Sequence, residues 1–138
     1  MTERTLAIVK PDGVAAGKVG RVIARIEGER LSIVGLRLVR LSRAEAEGFY
    51  AVHRQRPFFS ALTAFMSSGP AVAMVLEGEG AIARWREVMG ATDPAKASEG
   101  TLRRELAENI ERNVVHGSDA PETAAFEIGY FFPGIELR

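Results

Sequence analysis

Four short β-forming runs, separated by segments with helical spacing, limit this chain to a sheet with crossing helices. Thr5-Leu6-Ala7-Ile8-Val9 is apolar almost throughout and stops at Pro11-Asp12-Gly13, so it reads as a buried strand followed by a turn. Val19, Val22, Ile23 and Ile26 then recur at helical spacing up to Glu29, with arginines on the other side. From Leu31 to Leu41 the apolar positions Leu31, Ile33, Leu36 and Leu38 predict a long strand with one irregularity near Gly35. Ser42-Arg43-Ala44-Glu45 matches a capping box. A helix carrying Phe49, Tyr50 and His53 is expected from there to Pro57, and a second from Phe58 to Ser68. Ala71 to Leu76 is the next strand and Ala81 to Met89 the next helix, closed by Gly90. Ala91 to Asn109 has little periodicity and reads as a long surface excursion with a short helical piece. Val114 and Val115 form the last strand. Asp119-Ala120-Pro121-Glu122 opens a helix through Ile128, with Ser118 and Asp119 expected to satisfy its free N–H groups.

Without the helical hairpin and the C-terminal helix, the order is βαββαβ. That is the ferredoxin-like α+β sandwich: a four-stranded antiparallel sheet with helices on one face, here with an inserted helical hairpin and a C-terminal helix. At 138 residues, 1–138 is expected to be a single domain with a substantial core. A 46% apolar and 26% charged composition excludes disordered and collagen-like classes. With net charge +0, the overall balance announces neither nucleic acid nor an anionic membrane as partner. The chain has no cysteine, hence no disulfide framework and no thiol nucleophile. The N-terminus runs straight into a strand-like segment, and no run approaches membrane-spanning length. A cytoplasmic location is expected.

Two glycine motifs fail as phosphate loops. Gly13-Val14-Ala15-Ala16-Gly17-Lys18-Val19 is one residue short between its glycines and has valine where a magnesium-binding hydroxyl is needed. Gly78-Glu79-Gly80 puts an acid where pyrophosphate would approach. The histidines and acids offer no all-protein metal cage. What remains is a scattered set suited to a phosphorylated nucleotide. Lys10 ends a buried strand, an unusual place for a lysine. Arg86, Thr92 and Arg103 lie on or beside the long excursion, where guanidinium and hydroxyl groups can grip phosphate oxygens. Phe58, after Pro57, can offer a flat ring to a base. His116 is placed where the apolar strand breaks into a turn, and a neutral imidazole is nucleophilic. Taken singly, each arginine is more often a solvated charge, Phe58 a core residue and His116 a packed or surface imidazole.

Together they carry a resemblance. Val9-Lys10-Pro11-Asp12-Gly13-Val14, Arg56-Pro57-Phe58-Phe59, Met66-Ser67-Ser68-Gly69-Pro70, Met89-Gly90-Ala91-Thr92-Asp93-Pro94, Gly100-Thr101-Leu102-Arg103 and Asn113-Val114-Val115-His116-Gly117-Ser118-Asp119 closely resemble nucleoside diphosphate kinase in order and spacing from Arg4 to Phe132. The resemblance implies ping-pong transfer of the terminal phosphoryl group of a nucleoside triphosphate, typically ATP, to a nucleoside diphosphate through a phosphohistidine at His116. It implies that Arg86, Thr92 and Arg103 hold phosphates, and that Lys10 binds the sugar hydroxyl and neutralises charge. Asn113 contacts the ribose, and Phe58 and Ile110 flank the base. Glu127, held by Ser118, orients the imidazole, with Tyr50 and His53 near the nucleophile and the phosphates. Magnesium (Mg2+) is expected on the nucleotide phosphates rather than on protein ligands.

The pattern departs from the family at Glu99, often proline, and at Arg104-Glu105-Leu106, where a small residue, Asp and an aromatic are usual. The chain ends at Arg138 without the longer tail of many animal members. A homo-oligomer is expected, with tetramer, hexamer and dimer all open. The leading alternative is a non-catalytic nucleotide-binding regulatory protein on the same fold. A nucleic-acid-binding module predicts aromatics on adjacent strands, and these strand segments are aliphatic.

Overall fold

The computed structural model describes residues 2–137. In chain order its main elements are β1 (Thr2–Val9), α1 (Pro11–Ala15), α2 (Val19–Gly28), β2 (Ser32–Val39), α3 (Arg43–Phe49), α4 (Phe59–Met66), β3 (Ala71–Glu79), α5 (Ala81–Met89), α6 (Leu102–Leu106), β4 (Val115–Gly117) and α7 (Pro121–Phe131). The sheet order is β2-β3-β1-β4 and every neighbouring pair is antiparallel, which is the ferredoxin-like topology.

Period-2 geometry makes each central strand serve two cores. Ala7 and Val9 of β1, with Val72, Met74 and Leu76 of β3, pack against Val22 and Ile26 of α2 and Trp85 and Met89 of α5. Leu6 and Ile8, with Ala71, Ala73 and Val75, pack against Ala46 and Phe49 of α3, Met66 of α4 and Phe131 of α7. The two crossover helices therefore cover one face, while the inserted hairpin and the C-terminal helix cover the other. Burial on both faces explains why Leu6 to Val9 of β1 are an unbroken apolar run.

Several local expectations hold. Ser42 and Glu45 form the reciprocal capping box. The irregularity in β2 is a bulge between Ile33 and Gly35. Gly90, at φ 87°, ends α5.

Others are corrected. Pro11-Asp12-Gly13 does not form a simple turn but starts α1, because proline's fixed φ suits the first helical position. Helix α3 ends at Phe49, and Tyr50 and His53 belong to its C-cap and a following 3-10 turn. His116 lies inside β4, paired with Ile8, rather than after the strand. Val114 falls outside the strand. Finally, α7 is not capped by Ser118 or Asp119: the Thr123 hydroxyl accepts the N–H groups of Asp119 and Ala120.

Candidate functional site

His116 shares a sheet face with its cross-strand partner Ile8, so its ring projects toward α3 and α7. Its Nε2 lies 2.9 Å from Oε1 of Glu127 on α7. The Ser118 hydroxyl donates to the same oxygen at 2.8 Å and accepts the Leu6 N–H at 3.3 Å. A carboxylate only accepts, so Nε2 is the donor, and in the neutral ring Nδ1 is left with the lone pair. The ring meets the edges of Phe49 at 5.6 Å and Tyr50 at 6.2 Å between centroids. Burial, and next the Glu127 charge, push the Tyr50 phenol well above its ordinary range, so it stays protonated. From the opposite face, Trp85 Nε1 donates to the His116 carbonyl at 3.1 Å. Gly117 leaves room there, since a Cβ would lie 2.6 Å from Trp85 Cδ1.

The stretch before β4 bends sharply. Val115 N donates to the Asn113 carbonyl at 2.8 Å, closing a three-residue turn on Val114 at φ 74°. A β-branched residue in this region costs about 1–3 kcal/mol.

Lys10 is buried and donates from Nζ to Asn113 Oδ1 at 2.8 Å, while Asn113 Nδ2 donates to the Thr92 carbonyl at 3.2 Å. Burial, then the Arg103 guanidinium, lowers the Lys10 ammonium to about 8, with Asp12 opposing. Arg103 donates to the carbonyls of Gly90 at 3.0 Å and Val115 at 2.8 Å, and its Nε is buried without a partner. Burial and the Arg86 charge lower it to about 10, so it remains cationic at neutral pH. Arg86 donates to Asp119 at 2.6 Å in an exposed ion pair.

The hydrogen bonds thus join His116 to Glu127 and Ser118, and Lys10 to Asn113 and the Thr92 backbone. Ring contacts place Tyr50 beside His53 and His53 beside Phe58, at 6.5 and 5.6 Å. Phe58 and Ile110 are large apolar side chains left about half exposed, at 49% and 53%. Among the described residues, no hydrogen bond or ring contact joins Ile110 or the Thr92 hydroxyl to this network. Sequence reasoning missed Trp85, Phe49, Asp12 and the Arg86–Asp119 pair; only Asp12, inside the Lys10-Pro11-Asp12-Gly13 motif, carried a local signal.

Comparison with known proteins supplies the frame for this cluster. The family model described as nucleoside diphosphate kinase matches residues 3–137. A nucleoside diphosphate kinase of Desulfosudis oleivorans is 64% identical over 135 residues, covering 98% of this chain and 97% of its own length. One from Nitratidesulfovibrio vulgaris is 58% identical, covering 99% of each. Among solved structures, the Aquifex aeolicus nucleoside diphosphate kinase superposes with TM-score 0.97 at 44% identity, covering 100% of both chains. The halophilic nucleoside diphosphate kinase of Halobacterium salinarum, solved in complex with CDP, gives 0.95 at 40% identity, covering 100% of this chain and 92% of its own.

Proposed function

Since the chain belongs to the nucleoside diphosphate kinase family, we propose that His116 is its phosphoryl carrier and that the groups around it divide the remaining work. The activity is transfer of the terminal phosphoryl group of a nucleoside triphosphate to a nucleoside diphosphate. Similarity over the whole chain to proteins named as kinases favours this over the non-catalytic regulator.

The observation that carries the mechanism is the His116–Glu127 hydrogen bond. With Nε2–H held by the carboxylate, the Nδ1 lone pair attacks the terminal phosphorus. The bond from that phosphorus to the bridging oxygen breaks, and the nucleoside diphosphate leaves with the electron pair. The ring is then substituted at both nitrogens, and Glu127 faces the positive charge it gains. Ser118 holds the carboxylate in line. A second nucleoside diphosphate takes the phosphoryl group by the reverse step. Phosphoryl transfer asks mainly for positioning and charge stabilisation, which Lys10, Arg86 and Arg103 provide as cations and Thr92 as a hydroxyl. Asn113 and Lys10 would meet the sugar, with Tyr50 and His53 flanking the site. Phe58 and Ile110 would sandwich the base, and stacking tolerates every base because each has a π face.

The family uses a divalent metal. Among the described residues no group of three or more His, Asp or Glu is placed to hold one. In our reading magnesium is held by the nucleotide phosphates, which Arg86, Arg103 and Thr92 position; it screens their charge.

We also read the chain as a homo-oligomer acting in the cytoplasm. No described helix is long and apolar enough to cross a membrane. β2 is an edge strand exposing Leu36 and Leu38, with Tyr130 of α7 lining the adjoining cleft. An apolar edge of this kind suits pairing with a second copy.

The test is direct. Protein mixed with γ-labelled ATP and magnesium, quenched before any nucleoside diphosphate is added, should yield an acid-labile, alkali-stable phosphoprotein. Absence of label, or label that survives in His116→Ala, would refute the assignment.

A further inference from the structure

The turn that delivers His116 to the site is held by a residue with no role in the reading above. The N–H of Val114, at φ 74°, donates to Asp12 Oδ2 at 3.0 Å, across 102 residues of sequence. The Val114 carbonyl accepts the Lys10 N–H at 2.7 Å. Gly13 completes the mould: a Cβ there would lie 2.8 Å from Val9 Cγ1 and 2.9 Å from Val114 Cγ1. Every neighbour of this turn has a place in the site. Asn113 binds the Lys10 ammonium, the Val115 carbonyl binds Arg103, and His116 follows.

We propose that Asp12 is a positioning residue for phosphoryl transfer, its carboxylate pinning the strained Val114 turn and so fixing the mutual spacing of Lys10, Arg103 and His116. Without an acceptor at this point, the Val114 N–H would be left unpaired and the valine free to relax to the extended backbone it prefers. The other carboxylate oxygen, Oδ1, is buried with no hydrogen-bond partner. A side chain kept only for packing gains nothing from a buried, half-satisfied carboxylate, whereas one that restrains a strained turn does. The inference rests on the reading of His116 as the phosphoryl carrier.

Charge gives the clamp a second signature. The Lys10 ammonium is faced by Asp12 from α1, Arg103 from α6, Asn113 from the turn and the Phe65 ring of α4 at 5.9 Å, a ring that Arg112 also overlies at 5.7 Å. Arg103 lowers the ammonium's affinity for its proton and Asp12 raises it. Neutralising Asp12 therefore moves the loss of that proton to lower pH.

Wild type, Asp12→Ala and Asp12→Asn are compared by rapid-quench phosphoenzyme formation from magnesium ATP between pH 6.5 and 9.5, with thermal midpoints measured alongside. Asp12→Ala should form phosphoenzyme at least roughly tenfold more slowly at pH 7, the scale of a sub-ångström misplacement. Asp12→Asn keeps an oxygen for the Val114 N–H and should recover to within about threefold. Its alkaline limb should nonetheless fall at lower pH than that of wild type. Should Asp12→Ala not fold, the rate and limb of Asp12→Asn decide. An Asp12→Ala rate within about twofold of wild type, or an Asp12→Asn variant that is folded but slow and has an unmoved limb, overturns the clamp. A wild type that takes no label refutes the carrier itself.

Discussion

Lys10 should make the folded protein pay for its own active site, and the debt should be readable as a pH dependence. Its ammonium is lowered from 10.5 to about 8, mainly by burial, with Arg103 second. At about 1.36 kcal/mol per pH unit, this shift costs the folded state about 3 kcal/mol whenever Lys10 is charged in both states. The sign follows from proton counts. Below about pH 8 both folded and unfolded chains hold the proton, and the full cost is present. Between about 8 and 10.5 the unfolded chain still holds it and the folded one does not, so stability gained from this group rises with pH. In Lys10→Met the contribution is gone. Urea unfolding of both proteins at one protomer concentration, from pH 7 to 10.5, isolates it, because other titrating groups cancel in the difference. Wild type should gain up to about 3 kcal/mol relative to the variant, mostly above pH 8. Over the same interval wild-type turnover should fall, as the ammonium proposed to face the nucleotide loses its proton. A flat difference, or a wild type that loses ground with rising pH, refutes the argument.

Gly117→Ala should lose about 1–3 kcal/mol in urea unfolding, since its Cβ would meet Trp85 Cδ1 at 2.6 Å and Met89 Cε at 2.7 Å. Phosphoenzyme formation should slow with it, because the displaced strand carries His116. Ser118→Ala strands the buried Leu6 N–H and frees Glu127, which predicts about 1–3 kcal/mol of destabilisation together with slower labelling of His116. Leu38→Asp, on the exposed edge of β2, should shift sedimentation toward smaller species while leaving the far-UV circular dichroism unchanged.

Elements set by local chemistry were readable from the chain. The Ser42 capping box, the end of α5 at Gly90 and the bulge beside Gly35 each depend on residues within a few positions of one another. The misreadings arise where the partner is remote or the alternatives are nearly degenerate. Pro11-Asp12-Gly13 suits a turn or a first helical turn equally well, and contact with the Val114 loop favours the helix. At the start of α7, Ser118 and Asp119 looked like caps, but each has a distant partner in Glu127 or Arg86, and Thr123 instead reaches back to accept the N–H groups of Asp119 and Ala120 that precede the helix. Such remote partners override a local preference of about 1 kcal/mol.

The site shows the same division more sharply. Residue type and place marked Lys10, because a lysine ending a buried strand needs a reason to be there, whereas Arg103 and His116 stood out only together with the other segments that carry the family resemblance. Their spacing was not readable, because it depends on a conformation that local propensity opposes. Asn113-Val114-Val115 has two β-branched residues in succession and reads as extended chain, yet Val114 adopts φ 74°. Asp12, brought from the other end of the sequence, accepts the N–H of that turn beside the backbone bonds that Val115 and Lys10 donate to it. A sequence rule broken at one residue, with compensation from another 102 positions away, is expected where geometry serves chemistry rather than stability. It follows that substitutions easing the turn, by removing its strain or its clamp, should cost more in phosphoryl transfer than in folding. Substitutions in the strands beneath should show the opposite ratio.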